Sequence, residues 1–123
     1  MAAVWKTPAG RAVYVLAAEG PQLDGERAAA DVIGDAFGTG ARIVAIPLGR
    51  LAPGFLTLST RIAGEVIQKF VNYKFRVAFV GDVSAAVAAS DALRDFVRES
   101  NRGRHVWFVD DLPALAAKLD AEA

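Results

Sequence analysis

Two neighbouring hydroxyl side chains, Ser59 and Thr60, are the first residues in this chain whose types suit a chemical role. They precede a segment with helical periodicity, and the free N–H groups and dipole of a helix N-terminus favour an anion such as phosphate. The same residue types also cap helices by accepting a backbone hydrogen bond, and capping is the more common role. We therefore interpret the pair as a helix cap and keep it as a candidate phosphoacceptor or anion site.

Carboxylates follow two apolar runs near the middle and the end of the chain. Gly81 and Asp82 end one run, and Asp110 and Asp111 end the other. The carboxyl ends of parallel strands meet at the edge where open α/β sheets bind ligands, and clustered carboxylates there could hold Mg²⁺. The alternative, which we favour, is that Asp110 or Asp111 caps the next helix and Asp82 closes a turn. We expect no metal or cofactor, and keep these four residues as a candidate ligand edge.

A row of arginines and one histidine complete the set of chemically versatile side chains. Arg94, Arg98 and Arg102 recur every four residues, followed by Arg104 and His105. Such a row could bind an acidic partner or phosphate. Acidic residues are interleaved with the arginines, however, which is typical of a solvated helix face, the interpretation that we favour. A single histidine without cysteine cannot build a zinc site, and no Ser-His-Asp motif surrounds it. The sequence therefore predicts no catalytic residue.

The helix after Thr60 and the strand after that helix are the most clearly predicted elements. Apolar residues at helical spacing cover about half of the helix circumference: Ile62, Ala63, Val66, Ile67, Phe70 and Val71. Gly64 falls at the edge of this face, so we expect close packing there and a destabilisation of about 1–3 kcal/mol on Gly64→Leu. Arg76–Val80 should form a strand buried on both faces, because apolar residues follow one another there without alternation.

The remaining elements are predicted from shorter patterns. The expected strands are Ala2–Trp5, Arg11–Ala17, Arg42–Ile46 and His105–Val109, the first two pairing as a hairpin. The expected helices begin at Asp24, Ser90 and either Asp110 or Asp111, and the alanine-rich residues Val83–Ala89 form a linker. The order β-β-α-β-α-β-α-β-α predicts one α/β domain over residues 1–123, with a mixed, mostly parallel five-stranded sheet and four helices.

Leu48–Leu58 is the longest irregular segment. Its leucines and Phe55 favour a loop folded onto the core, and the alternative is a lid over a binding site.

Composition limits the classes of partner. Fourteen basic and fourteen acidic residues cancel, which argues against broad binding of nucleic acid or an anionic membrane. Met1–Thr7 lacks the apolar core of a signal peptide, and no apolar run is long enough to span a bilayer. We expect a cytoplasmic protein.

Three segments resemble the bacterial domain-of-unknown-function family 4180. They are Leu58–Tyr73, Val77–Asp82 and Leu93–Val109. The family signature runs close to L-x-T-G-L-A-G-E-I-L-Q-K-F-x-N-Y, then a strand ending G-D, then a segment close to L-R-D-F-I-x-E-S-N-x-G. At position 61 this chain has arginine where the signature has glycine. The resemblance implies a fold and no established activity.

The layout is also similar, more distantly, to the anti-sigma-factor antagonist (STAS) domains. In those domains a Ser or Thr at the entry to the corresponding helix accepts phosphate from a partner kinase, and Ser59 and Thr60 match that place. This chain has Leu58 where the STAS pattern has aspartate.

The combined prediction is a non-catalytic, STAS-like regulatory or protein-interaction module with an unknown protein partner. With 54% hydrophobic residues, we also expect apolar surface to remain after folding and the chain to form a homodimer. The alternative is a small-ligand-binding protein or enzyme that uses the strand ends near Asp82.

Overall fold

A computed structural model describes residues 2–122, which build one mixed five-stranded sheet. The strands are β1 (Ala3–Lys6), β2 (Ala12–Val15), β3 (Ile43–Pro47), β4 (Arg76–Val80) and β5 (Val106–Val109). Their spatial order follows the chain, β1-β2-β3-β4-β5. β1 and β2 pair antiparallel, as the predicted hairpin, and every later pair is parallel. The predicted α/β class and mostly parallel sheet are confirmed.

Five helices connect and cover the strands. They are α1 (Glu26–Phe37), α2 (Ile62–Asn72), α3 (Ser84–Ala89), α4 (Asp91–Arg102) and α5 (Leu112–Asp120), with short 3-10 turns at Leu48–Arg50 and Leu58–Thr60. The four longer helices are those the sequence predicts. The prediction of a linker over Val83–Ala89 is wrong, because Ser84–Ala89 is helical. Alanine has the highest helix propensity, so an alanine-rich run between two turns folds as a helix even without a side-chain cap.

The two faces of the sheet are covered unequally. On one face α1, α2 and α4 pack on side chains that include Val44, Phe79 and Phe108. Right-handed crossovers between successive neighbours place all these helices on the same side. On the other face α5 alone supplies Leu115 and Leu119, which pack on a smaller cluster around Ala45 and Ala78.

A line of aromatic rings crosses the larger core. Phe55 lies 5.4 Å from Phe79, Phe79 lies 5.0 Å from Phe108, and Phe108 lies 6.0 Å from Phe96 on α4, centroid to centroid. Phe55 is only 1% exposed, so the segment from Leu48 to Leu58 is folded onto the core by its apolar side chains, the interpretation that the sequence favoured.

Arg50 fixes the same segment by polar contacts. Its side chain is buried and donates hydrogen bonds to the carbonyl oxygens of Pro21, at 2.9 Å, and Ala17, at 3.0 Å. A buried guanidinium satisfied by backbone carbonyls holds this loop against the end of β2.

Helix ends agree with the sequence at two sites and differ at the first. Ser90 and Asp111 cap α4 and α5 by accepting hydrogen bonds from Leu93 N and Ala114 N, as predicted. Asp24 does not cap α1, because the N-cap position is Gly25, without a side-chain hydrogen bond. Phe37, at the last position of α1, is 53% exposed.

Candidate functional site

A surface groove of about 610 Å³ runs along the solvent side of α2. It is lined by Glu26 at the start of α1, by Phe96 of α4, and by residues of the α2 region: Leu58, Arg61, Ala63, Gly64, Glu65 and Gln68. Three separate parts of the chain meet here, so the groove depends on the packing of α1 and α4 beside α2. Its floor is apolar and its rim is charged.

Gly64 opens the middle of this groove. The expectation of close packing at Gly64 is wrong: the residue is exposed, and a Cβ placed on it would have no heavy atom within 4 Å outside its own helix. The phase of the buried helix face is nevertheless as predicted, with Ala63, Val66 and Phe70 buried. The error concerns only the edge of that face, which borders solvent rather than the sheet.

Arg61 lies at the entrance to α2 in an unusual backbone conformation. Its φ of 66° and ψ of 4° place it in the left-handed region, and its carbonyl oxygen accepts the hydrogen bond from Glu65 N. This region favours glycine, which has no Cβ to clash with the following carbonyl. The left-handed conformation therefore explains why the family signature has glycine at this position.

The rim of the groove has more acidic than basic groups. Glu26 and Glu65 are exposed, and neither forms a salt bridge within residues 2–122. Arg61 is the cation among the lining residues. Two carboxylates and one guanidinium around an apolar floor favour a ligand that has apolar surface and a positive charge.

Ser59 and Thr60 are both exposed, and their hydrogen bonding differs. The Thr60 hydroxyl lies 2.9 Å from the carbonyl oxygens of Gly54 and Thr57, to which it can donate, and it accepts a hydrogen bond from Ile62 N at 3.3 Å. Thr60 thus stabilises the turn before α2, whereas the N-cap position is Arg61, without a side-chain hydrogen bond, and not Ser59 or Thr60 as predicted. The exposed Ser59 hydroxyl forms no hydrogen bond with residues 2–122.

A second depression, of about 490 Å³, lies on the other side of Ser59. Besides Ser59 and its neighbours in the loop, it is lined by small side chains of α3 and α4: Ala86, Ala89, Ser90 and Ala92. Leu58 lines both depressions and so lies between them, and the adjacent Ser59 lines only the second depression.

The candidate ligand edge is occupied by local contacts. Asp82 accepts a hydrogen bond from Ser84 N at 2.8 Å, and hydrogen bonds from Ser84 lower the pKa of the Asp82 carboxyl. Asp111 caps α5, and Asp110 is exposed. Gly81 packs on Leu48. The favoured sequence interpretation, turns and caps, describes these contacts, and a ligand at this edge stays a prediction.

The arginine row has the arrangement of a solvated helix face. Arg94, Arg98 and Arg102 each pair with an acidic residue of α4 at 3.0–3.3 Å. These pairs are exposed, and ion pairs of this kind contribute between about 0 and 1 kcal/mol. His105 is exposed as well.

Sequence reasoning missed Glu26 and Phe96 as members of the groove. Phe96 contacts Phe108 in the larger core, and it also lines the groove. No sequence pattern relates position 26 to position 65, because the contact between the ends of α1 and α2 arises from the crossover geometry of the sheet.

Comparisons with known proteins identify a family and nothing more specific. A family model described as a domain of unknown function, DUF4180, matches residues 8–119. No curated protein and no solved structure matches the chain. In the part of the chain that the structure describes, no helix is long and apolar enough to cross a membrane, and no three acidic or histidine side chains gather as a metal site.

Proposed function

The chain belongs to the DUF4180 family, whose description names no activity, and we propose that it is a protein-interaction module. The docking surface is the groove along α2, and exposed Ser59 is its regulatory position. The observation that carries the proposal is that Ser59 is exposed, forms no side-chain hydrogen bond with residues 2–122, and directly follows Leu58, which lines the open groove.

The shape and charge of the groove favour a segment of a protein partner. Leu58, Ala63 and Phe96 offer an apolar floor, which an apolar side chain can cover. Glu26 and Glu65 place two carboxylates at the rim, suited to a Lys or Arg of the partner. The fitting ligand is therefore a peptide segment with an apolar anchor and a neighbouring basic residue.

Phosphorylation of Ser59 would switch this docking without altering the fold. A phosphate group adds nearly two negative charges at neutral pH. Placed on Ser59, it lies two residues from Arg61 and before the N-terminus of α2, both of which favour an anion. Pairing with Arg61 would remove the cation from the groove and so change which partners dock.

Gly64→Leu tests the groove directly. The added side chain has free space, so the fold stays intact while the middle of the groove is filled. We expect a partner captured from the native host by the wild-type protein to be lost with Gly64→Leu. The matched control is Gly34→Leu, which adds a leucine at another exposed helical glycine with free space around it, on α1 and outside the groove. Equal capture by the wild type and Gly64→Leu contradicts the proposal.

Ser59→Asp tests the regulatory position. We expect it to change capture of the same partner while leaving the melting temperature nearly unchanged, because the Ser59 side chain forms no hydrogen bond with residues 2–122 that the substitution could remove. Asn72→Asp is the control, since it adds one negative charge at the other end of α2, about 16 Å along the helix. If both substitutions change capture equally, net charge rather than position 59 is responsible.

We also infer that two copies of the domain associate through the face covered by α5. One nine-residue helix lies over a five-stranded sheet there, and Val15 and Val80 are left half-buried. Apolar surface of this kind is commonly covered by a symmetric dimer.

A further inference from the structure

One carboxylate near the end of the chain is surrounded by three arginines. The Glu122 carboxylate accepts two hydrogen bonds from Arg76, from Nη1 at 2.9 Å and Nη2 at 3.0 Å. Arg11 Nη1 and Arg104 Nε each lie 3.4 Å from one of its oxygens. These contacts lower the pKa of Glu122 to about 2, with the hydrogen bonds from Arg76 as the largest cause. This corner of the molecule is thus built to hold an oxyanion.

Arg76 is held in position for that task. Its guanidinium carbon lies over the Trp107 ring, 4.5 Å from the ring centre, in a cation–π contact. Its Nε donates to the carbonyl oxygen of Arg104. These two contacts hold the Arg76 guanidinium in place. Its two terminal nitrogens then present parallel N–H groups, the geometry that binds two oxygens of one carboxylate or phosphate.

A pocket of about 430 Å³ opens next to this cluster. Its polar lining is entirely basic: Lys74, Arg76, Arg104 and His105. Val71 and Phe75 supply the apolar part of the wall. No carboxylate of residues 2–122 lies within salt-bridge distance of Lys74 or His105, and the Arg104 side chain, which contacts Glu122, is still 74% exposed. One carboxylate therefore faces an excess of positive charge.

We propose that this pocket binds a small phosphate monoester, with its phosphate between Lys74, Arg104 and His105 and its apolar body against Val71. Several cationic groups remain beside Arg76 after Arg76 has paired with Glu122. A dianionic phosphate therefore suits the site better than a second carboxylate, which carries only one negative charge. The volume lies in the range of small-molecule pockets. Glu122 is the internal competitor, since it occupies the paired N–H groups of Arg76 and draws Arg104 towards itself.

Helix dipoles explain only part of this arrangement. Lys74 follows α2 and Arg104 follows α4, where a cation balances the negative end of each helix. Balancing the helix dipoles requires one basic group near each helix end. It does not require Lys74 and Arg104 to line the same cavity. Lys74 also has a φ of 63°, in the left-handed region, and lines this pocket.

The test is a titration of the full chain with phenyl phosphate and with inorganic phosphate, followed by backbone amide shifts and calorimetry. We expect both to bind, phenyl phosphate more tightly because its ring covers Val71, with the largest shifts at residues 74, 104 and 105. Arg104→Gln and Lys74→Gln should each weaken phenyl phosphate binding roughly tenfold, the usual effect of removing a hydrogen bond to a charged group. Both side chains are exposed, so the fold should be retained.

Arg98→Gln is the control, because it removes one positive charge from an exposed arginine of α4 outside the pocket. Equal weakening by Arg98→Gln and Arg104→Gln overturns the proposal, since binding then follows net charge alone. Absence of binding at millimolar phenyl phosphate overturns it too. Glu122→Gln should tighten binding, and an unchanged affinity in that variant removes the role of Glu122 as competitor. These results are independent of the groove along α2, which lies elsewhere on the molecule.

Discussion

Gly81, at the end of β4, is held where no other residue fits well. Its φ is 146°, and a Cβ on it would lie 2.6 Å from Cγ and Cδ1 of Leu48. Both the backbone conformation and the contact exclude a side chain. The glycine that is required by packing is therefore Gly81 and not Gly64.

Gly81→Ala should lower the free energy of unfolding by about 1–3 kcal/mol, because it combines a strained φ with overpacking on Leu48. Gly64→Ala is the matched control and should raise the free energy of unfolding by about 1 kcal/mol, the propensity difference at an exposed helical site. Urea titrations of both variants and the wild type measure the two effects. If Gly81→Ala is neutral, or Gly64→Ala destabilises, the packing described at these two positions is incorrect.

Glu122 makes the stability of the fold depend on acid pH. Its pKa is lowered to about 2 in the folded chain, from the ordinary value of 4.5. A depressed folded-state pKa means that the stabilisation is present above pH 4.5 and is lost as the pH falls towards 2. The side chain is 18% exposed, and solvent screening reduces the effect, so we expect about 1–2 kcal/mol at neutral pH.

Glu122→Gln is the variant that isolates this contribution. The difference in unfolding free energy between wild type and Glu122→Gln should be about 1–2 kcal/mol at pH 7 and approach zero near pH 2. Denaturant midpoints over this pH range give the result. A difference that stays constant from pH 7 to pH 2 would mean that the ion pairs with Arg76 and Arg104 do not stabilise the fold.

At the scale of elements, the junction between the turn Leu58–Thr60 and α2 is the most constrained point. Arg61 takes a left-handed conformation there that costs about 1 kcal/mol or more for a residue with a Cβ. Arg61→Gly should therefore raise the free energy of unfolding by about 0.5–1 kcal/mol, since part of the relieved strain is offset by the greater freedom of glycine in the unfolded chain.

The control for Arg61→Gly is Gln68→Gly, which places glycine at an exposed interior position of the same helix and should destabilise by about 1 kcal/mol. Thermal melts distinguish the two. A loss of stability on Arg61→Gly would indicate that the guanidinium, rather than the backbone, decides the residue at this position.

The sequence predicted elements best where one local signal was strong. The unbroken apolar run identified β4 with its bounds, and the serine at position 90 identified the start of α4. It failed at Ser84–Ala89, where small residues without a periodic apolar face were taken for a linker although alanine favours helix. The groove and the basic pocket could not be predicted, because each is formed by residues such as Glu26 and Phe96, or Lys74 and Arg104, whose proximity depends on helix packing.

At the scale of the whole molecule, zero net charge conceals a separation of charge along the strands. Basic residues gather where the parallel strands begin: Arg11, Arg42, Lys74, Arg76 and Arg104. Acidic residues gather where the strands end and the helices begin: Glu26, Asp82, Asp91, Asp110 and Asp111. This arrangement complements the helix dipoles. The net charge of zero therefore argues only against electrostatic binding by the molecule as a whole. It does not argue against binding at the edge where the parallel strands begin, because basic residues gather there.

Self-association is also a property of the whole molecule. We expect light scattering at micromolar concentration to give about twice the 13.0 kDa mass of one chain. Val15→Lys should return the monomer mass, because it places a charge on the partly covered face beside α5. Val4→Lys, at an exposed position of the edge strand β1, is the control and should leave the dimer intact. A wild-type mass near that of one chain contradicts the prediction.

The sequential strand order determines how the chain can fold as it leaves the ribosome. Each strand pairs with the one before it, so the sheet can grow by one neighbour at a time without waiting for distant residues. The helices of the larger core emerge between the strands that they cover, whereas α5 emerges after all five strands. The apolar face around Val13 and Ala45 is therefore bare until Leu115 and Leu119 arrive, and nascent chains paused before residue 112 should be the form that chaperones retain.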